Sequence, residues 1–124
     1  MASDANIFIF TGRLGAEPEF SYSPNGKAYC KGVVACNANE KQSDGSWVER
    51  ADWHNVVAFD KTAEILGSYK KGQPVLIRGY LKSRKYDDNG KNRTFWEVVV
   101  SRIERLDRAR REEASSGLDE VELN

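Results

Sequence analysis

The sequence has few of the residue types that bind metals or form disulfides. It contains two cysteines, Cys30 and Cys36, and a single histidine, His54. The cysteines lie six positions apart in one apolar stretch, so a strand would place them on the same face but too far apart to bond. We therefore expect two reduced core cysteines, no metal site and no cofactor.

Long apolar runs are also missing. No stretch approaches the roughly 18 consecutive apolar residues that a membrane-spanning helix needs. Residues 1–6 are polar and include Asp4, and they lack the basic flank and apolar segment of a signal peptide. We therefore expect a cytoplasmic protein without a membrane partner.

Catalytic motifs are absent from the sequence as well. There is no glycine-rich phosphate loop with a lysine, and there is no serine nucleophile motif. A lone histidine needs a nucleophile or a metal as its partner, and no matching set accompanies His54. We therefore predict that the protein is not an enzyme and that His54 packs or hydrogen-bonds at an inner or intersubunit position.

The residues that are present suit one folded domain and a charged tail. Hydrophobic residues make up 40% of the 124 positions, enough for one ordinary core. Residues 1–106 carry 16 Lys and Arg against 13 Asp and Glu, whereas residues 107–124 carry three against six. We predict a folded domain over residues 1–106, whose basic charge is compatible with nucleic-acid binding. For residues 107–124 we expect a disordered tail, with a short helix over 107–114 as the alternative.

Periodicity and turn signals predict an all-β chain with one short helix. The expected strands cover residues 6–14, 27–36, 47–59, 75–86 and 93–106, and the helix covers 61–69. Asn-Gly at 25–26 and the polar stretches 37–46 and 87–90 are expected to form turns or hairpin loops. This order of strands and helix is that of the OB-fold, a five-stranded Greek-key barrel that binds oligonucleotides or oligosaccharides.

Two signals delimit the predicted helix. Asp60 is expected to be its N-cap. Lys70, Lys71 and Gly72 are expected at its C-terminus, where cations and glycine are favoured.

The predicted fourth strand has one face built only of cations and aromatic rings. Alternation assigns Val75, Ile77, Gly79 and Leu81 to the core. The opposite face carries Arg78, Tyr80, Lys82, Arg84 and Tyr86. Such cations follow phosphates and such rings stack on bases, which contributes roughly 1–3 kcal/mol per base without reading sequence. The alternative is an ordinary barrel exterior with long amphipathic side chains.

Other aromatic residues divide between binding and packing. Trp53 and Phe59 share one face of the third predicted strand with Asn55, which strengthens the binding hypothesis. Trp47 stands in a polar loop, where it either clamps a base or folds back onto the barrel. We expect core or subunit contacts for the remaining rings examined: Trp96, Phe8, Phe10, Phe20 and Phe95.

Six segments in this order and spacing resemble a known family. They are GRLGAEPE at 12–19, SPNG at 23–26, DWHNVVAF at 52–59, KTAE at 61–64, YKKG at 69–72 and GYLKSRKY at 79–86. Over residues 6–106 the chain resembles the bacterial-type single-stranded DNA-binding protein family, including its phage and plasmid relatives. The resemblance implies an OB-fold that wraps single-stranded DNA and forms homo-oligomers, usually tetramers, partly through pairing of the first strand.

The resemblance also implies roles for individual residues. Trp53 and Phe59 match base-stacking positions, Tyr86 stands where many members carry tryptophan, and His54 matches a position associated with subunit contacts. Five further residues match positions that are basic or lie along the DNA path: Lys61, Lys71, Lys82, Arg84 and Lys85.

The chain departs from the family pattern at three places. Residues 39–41 lack the tryptophan that many members carry after the second strand, and Asn55 stands where a basic residue is common. The acidic end of the chain lacks the terminal Pro-Phe that recruits replication and repair proteins in the family. The alternatives are therefore a replisome adaptor that mainly binds proteins, an RNA-binding or tRNA-binding OB module and, last, a nuclease.

Overall fold

The computed structural model describes residues 3–106, and the predicted tail at 107–124 lies outside them. Six strands and one helix follow each other along this part of the chain. They are β1 Phe8–Leu14, β2 Glu19–Tyr22, β3 Ala28–Lys41, β4 Trp47–Phe59, α1 Asp60–Gly67, β5 Pro74–Asp88 and β6 Lys91–Arg105.

Five of the strands close into a barrel. The order of hydrogen-bonded neighbours is β1, β5, β6, β4 and β3, and β3 pairs back to β1 at Ala35 and Val34. The pairs are antiparallel except for β4 with β6, which run parallel at Val56 and Val98. The short β2 pairs with β3 outside this ring. The predicted OB-fold barrel of five strands is therefore confirmed, with β2 as an added edge strand.

The core lies inside the ring and beneath the helix. Alternate residues of the strands point inward, so that side chains such as Val34, Val56 and Ile77 are almost completely buried. Ala63 and Leu66 of α1 belong to the same buried cluster, so the helix packs on the barrel interior through its apolar stripe.

The hairpin loop predicted over residues 37–46 is wrong for its first half. β3 continues to Lys41 and pairs with β4 without interruption from Tyr29–Phe59 to Lys41–Trp47. Only residues 42–46 turn, and the Ser46 N–H donates to the Asp44 carboxylate at 2.9 Å. The sequence is polar here because the ribbon extends beyond the barrel and has no buried face, so polarity did not indicate a loop. Trp47 is accordingly the first residue of β4.

Both predicted signals at the ends of the helix are corrected. Phe59 is the N-cap and no side chain caps the helix, because Asp60 already lies in its first turn with a φ of 55°. β4 therefore passes directly into α1. The helix ends at Gly67 with Ser68 as the C-cap, and Lys70 and Lys71 lie beyond it.

Gly72 is used in the turn that leads from the helix to β5. It has a φ of 85°, which favours glycine, and its N–H donates to the Leu14 carbonyl at 2.7 Å. This hydrogen bond ties the turn to the end of β1.

Candidate nucleic-acid interface

Four neighbouring strands, β3, β4, β6 and β5, share one outer face of the barrel. The register places Lys31 beside Val57, Val57 beside Val99, and Val99 beside Tyr80, so one row of side chains crosses all four strands. A groove of about 320 Å³ lies along this face, and we call it the outer groove. β3 and β4 contribute Tyr29, Lys31, Val57 and Phe59, and β5 and β6 contribute Lys82, Arg84, Glu97 and Val99.

The outer groove combines an apolar floor with aromatic and cationic walls. Val57 and Val99 are almost fully buried. Lys31 Nζ lies 5.9 Å from the Tyr29 ring centroid, and Lys27 Nζ lies 5.3 Å from the Phe59 ring centroid. Such contacts between cations and ring faces are attractive, so the positive charge is held close to the rings. This surface can therefore offer stacking and phosphate neutralisation side by side.

A smaller hollow adjoins the outer groove. It is lined by Asn55 and Phe95 together with Lys31, Arg84 and Glu97. The Arg84 guanidinium lies 4.7 Å from the Phe95 ring centroid, so a cation is stacked on an aromatic ring at this point. Phe95 was expected in the core or an interface, and the structure instead places it under Arg84 on the outer face.

Trp53 is the largest exposed ring beside this surface. Its side chain is 60% exposed, and its cross-strand neighbour is Ala35. The ring lies against Gly15, because a Cβ added to Gly15 would overlap Cζ3 of the indole. The Gly15 N–H donates to the Val33 carbonyl at 2.8 Å, which fixes the backbone beneath the ring. The indole therefore has a supported position and an exposed surface on which a base can stack.

Many of the residues predicted to bind nucleic acid lie on this outer face. Phe59, Lys82 and Arg84 line the outer groove, and Asn55 lines the adjoining hollow. Tyr80 and Tyr86 are 41% and 42% exposed on the predicted outward side of β5. The alternation expected for β5 is therefore present.

Five predicted residues lie elsewhere and do not line the outer groove or the hollow. Lys61 is in the first turn of α1, and Arg78 pairs with Ile9 and Arg102 at the other end of β5. The Lys71 N–H donates to the Glu17 carboxylate at 3.0 Å. Trp47 and Lys85 complete this group.

Trp47 and Lys85 are separated from the groove in different ways. Trp47 is 65% exposed at the far end of the β3–β4 ribbon, opposite Lys41. Lys85 pairs with Thr94 and lies on the opposite side of β5 from Arg84.

Three groove residues were missed by the sequence analysis: Tyr29, Lys31 and Glu97. Alternation along β3 does put Tyr29 and Lys31 on one face, and this signal was available. Their position beside Phe59 and Val57 depends on the register between β3 and β4, which alternation alone does not give.

The remaining aromatic predictions have mixed outcomes. Phe8 and Phe10 pack against the core, and the His54 ring centroid lies 5.2 Å and 4.8 Å from theirs, so the inner position predicted for His54 is confirmed. Phe20 is 38% exposed and contacts Tyr22 edge to face. Trp96 is 57% exposed, so a core position is wrong, because the β5–β6 hairpin extends beyond the barrel there.

The cysteines and the membrane test add little to the site. Both cysteines are free, Cys30 buried and Cys36 partly buried. Burial, together with the negative charge of Glu19, raises the pKa of the Cys30 thiol to about 11. Within residues 3–106, no cluster of three or more His, Cys, Asp or Glu side chains is arranged to hold a metal ion. In the same range, no helix has the length and apolar character to cross a bilayer.

Comparison by sequence finds similar proteins over most of the chain. The model of the "Single-strand binding protein family" matches residues 5–106. Two curated relatives named "Single-stranded DNA-binding protein" come from serogroup A and serogroup B strains of Neisseria meningitidis. Each is 42% identical over 103 residues, which cover 82% of this chain and 59% of the relative. The chain thus spans less than two thirds of the length of these relatives.

Comparison by structure finds the same barrel. A Plasmodium falciparum SSB in complex with ssDNA superposes with a TM-score of 0.78 at 24% identity, covering 86% of this chain and 99% of that chain. A deletion mutant of the single-stranded DNA binding protein from Thermus aquaticus gives a TM-score of 0.74 at 27% identity, covering 86% and 53%. Both support the fold derived from the strand order.

Proposed function

The chain belongs to the single-strand binding protein family, and on that premise we propose that it binds single-stranded DNA without requiring a base sequence. The observation that carries the proposal is the outer groove, where exposed rings and cations of four strands meet on an apolar floor. Every base has a face that can stack on a ring, and every nucleotide has a phosphate that a cation can neutralise. Such binding protects single strands during DNA replication, recombination and repair.

The proposed division of labour follows the side-chain chemistry. Trp53, Phe59, Tyr80 and Tyr86 stack on bases, with Trp47 reached by longer strands, while Asn55 hydrogen-bonds within the adjoining hollow. The cations neutralise phosphates along the path: Lys61, Lys71, Arg78, Lys82, Arg84 and Lys85. The role is binding and not catalysis, and the protein acts in the cytoplasm.

A homo-oligomer, most simply a tetramer, is part of the proposal. Ile7 and Ile9 are 64% and 59% exposed at the start of the chain's first strand. Within residues 3–106, β1 pairs with β5 along its length but meets β3 only at Arg13 and Leu14. An open strand edge beside exposed isoleucines supports pairing with a second copy. Replication or repair proteins are proposed as partners of the acidic tail.

The test is a titration with a thymidine oligonucleotide of several tens of nucleotides at two salt concentrations, followed by tryptophan fluorescence. Saturable binding with strong quenching is expected, and the affinity should fall with salt by a slope near −0.7 per phosphate neutralised. A ribo-oligonucleotide of the same length provides the comparison for RNA binding. No quenching and no binding at low salt would contradict the proposal and favour a protein-binding adaptor.

Lys82→Ala sharpens this test, because Lys82 lines the outer groove. Loss of one phosphate contact should lower the steepness of the salt dependence by about 0.7. Trp53→Ala should instead weaken binding by about 1–3 kcal/mol at both salt concentrations. Equal salt slopes for Lys82→Ala and the unchanged protein would count against the assigned face.

A further inference from the structure

The outer groove contains a carboxylate that phosphate binding does not explain. Glu97 of β6 lies among Lys82, Arg84 and Lys31, and its side chain is only 15% exposed. A negative charge at this position repels phosphates and opposes the cations around it. Its presence in a groove otherwise suited to DNA needs a different partner for the carboxylate.

The Glu97 oxygens have unused capacity to accept hydrogen bonds. The nearest ion-pair contact is with Arg84 Nε at 3.8 Å, which is beyond hydrogen-bond distance. Within residues 3–106, no hydrogen bond to the Glu97 carboxylate is formed. An ionised carboxylate accepts several hydrogen bonds and donates none, and a largely buried one is stabilised by donors. A bound molecule that presents N–H groups would supply them.

The surroundings of Glu97 indicate what that molecule is. The floor of Val57 and Val99 and the rings of Tyr29 and Phe59 suit a flat heterocycle. Cytosine presents an amino group to an acceptor, as do adenine and guanine. Thymine presents one N–H between two carbonyl oxygens, which a carboxylate repels.

We propose that Glu97 accepts a hydrogen bond from the exocyclic amino group of a base seated in the outer groove, which favours cytosine over thymine there. The proposal rests on the proposed function, since it assumes that single-stranded DNA enters this groove. It adds a bias at one position to a surface that otherwise stacks on any base. The chemistry is that of a base edge read by a carboxylate, as in the pairing of Glu or Asp with the cytosine amino group.

A purely structural role for Glu97 makes a different prediction. Arg84 is stacked on Phe95, and Glu97 lies on its other side at ion-pair distance, so the carboxylate also restrains the guanidinium. If that were its only role, removing it would change the affinity for all bases by the same factor. The ratio of two affinities therefore separates base recognition from positioning of Arg84.

The experiment compares oligonucleotides of 5-methyl-deoxycytidine and of thymidine, equal in length. Both bases are methylated pyrimidines and differ only on the hydrogen-bonding edge. Dissociation constants are measured for the full chain and for Glu97→Gln, which keeps the side-chain shape. We expect the ratio of the thymidine constant to the 5-methyl-deoxycytidine constant to fall by about fivefold or more in Glu97→Gln, the lower limit for one well-formed base contact.

Two further variants complete the design. Glu104→Gln removes the same charge from the same strand away from the groove, where Glu104 pairs with Arg102, and it should leave the ratio unchanged. Glu97→Asp keeps the charge but withdraws it by one methylene, so the ratio should fall while the salt slope stays the same. This variant also carries the test if Glu97→Gln does not fold, as judged by thermal unfolding.

The outcomes separate the two levels of the argument. If the unchanged protein binds neither oligonucleotide, the proposed function itself fails. If it binds both, and Glu97→Gln and Glu97→Asp shift the two constants by equal factors, the base-edge role is overturned and Glu97 acts on charge or on Arg84 alone.

Discussion

Gly15 occupies a position that governs the orientation of a neighbouring ring. A Cβ at this position would overlap the Trp53 indole. Gly15→Ala should therefore displace the indole and lower the affinity for single-stranded DNA by part of the roughly 1–3 kcal/mol that one stacked base contributes. Fluorescence titration measures the loss, and thermal unfolding checks that the barrel is intact.

A double-mutant cycle shows whether Gly15 acts through Trp53. In the Trp53→Ala background the added methyl has no indole to displace, so Gly15→Ala should have almost no further effect on binding. Additive losses in the double variant would contradict this explanation and indicate an effect on the backbone of the loop after β1.

Cys30 gives the barrel a dependence on alkaline pH. Burial keeps its thiol neutral and, with the charge of Glu19, raises its pKa to about 11 from an ordinary value of 9.0. The unfolded chain therefore loses this proton at lower pH than the folded chain does. The resulting stabilisation is complete below pH 9 and is lost as the pH rises from about 9 to about 11.

Urea unfolding at a series of pH values tests this effect. Cys30→Ala removes the thiol and leaves a small cavity, whose cost does not depend on pH. The free energy of unfolding of the unchanged protein should therefore fall more steeply above pH 9 than that of Cys30→Ala. Parallel curves for the two proteins would show that the thiol does not contribute.

At the scale of secondary-structure elements, alternation within a strand was predictable and contacts between strands were not. The period-two pattern of β5 correctly assigned Val75 and Ile77 to the core and Lys82 and Arg84 to the outside, because each strand has one face on the barrel interior. The neighbourhood of Tyr29 and Phe59 depends on a register that the sequence pattern does not encode.

The same limit explains the misassigned segment 37–41. These residues are polar on both faces, so neither burial nor alternation marks them as a strand. What keeps them in β3 is continuous pairing with β4, supported by Arg50, which bridges Glu40 at 3.0 Å and Asp52 at 3.3 Å. Strands that extend beyond a core resemble loops in composition.

The β3–β4 ribbon predicts a dependence on the length of the bound strand. Trp47 and Trp53 lie six residues apart on β4, about 20 Å at roughly 3.3 Å per residue. Trp47→Ala should therefore not affect a short oligonucleotide that covers only the outer groove and Trp53, but should weaken a long one by about 1–3 kcal/mol. Titrations with both lengths provide the measurement, and equal effects on the two would place Trp47 within the short site.

At the scale of the whole molecule, the exposed isoleucines of the first strand decide how many barrels a DNA strand can contact. Ile9 is 59% exposed and lies beside Arg78, on an edge of β1 that is open to a second copy. A lysine at this position would bring its charge next to the cation of Arg78 and would need to be desolvated in an interface. Ile9→Lys should therefore convert the oligomer into smaller species.

Ile65 provides the matched control for this substitution. It is 40% exposed on α1, outside β1, so Ile65→Lys introduces the same charge without touching the proposed edge. Sedimentation analysis should give a smaller mass for Ile9→Lys and an unchanged mass for Ile65→Lys. A smaller assembly offers fewer outer grooves to one DNA molecule, so the number of nucleotides bound at saturation by each assembly should fall in proportion to its mass. An unchanged mass for Ile9→Lys would show that the copies associate through another surface, and the open edge of β1 would then need a different explanation.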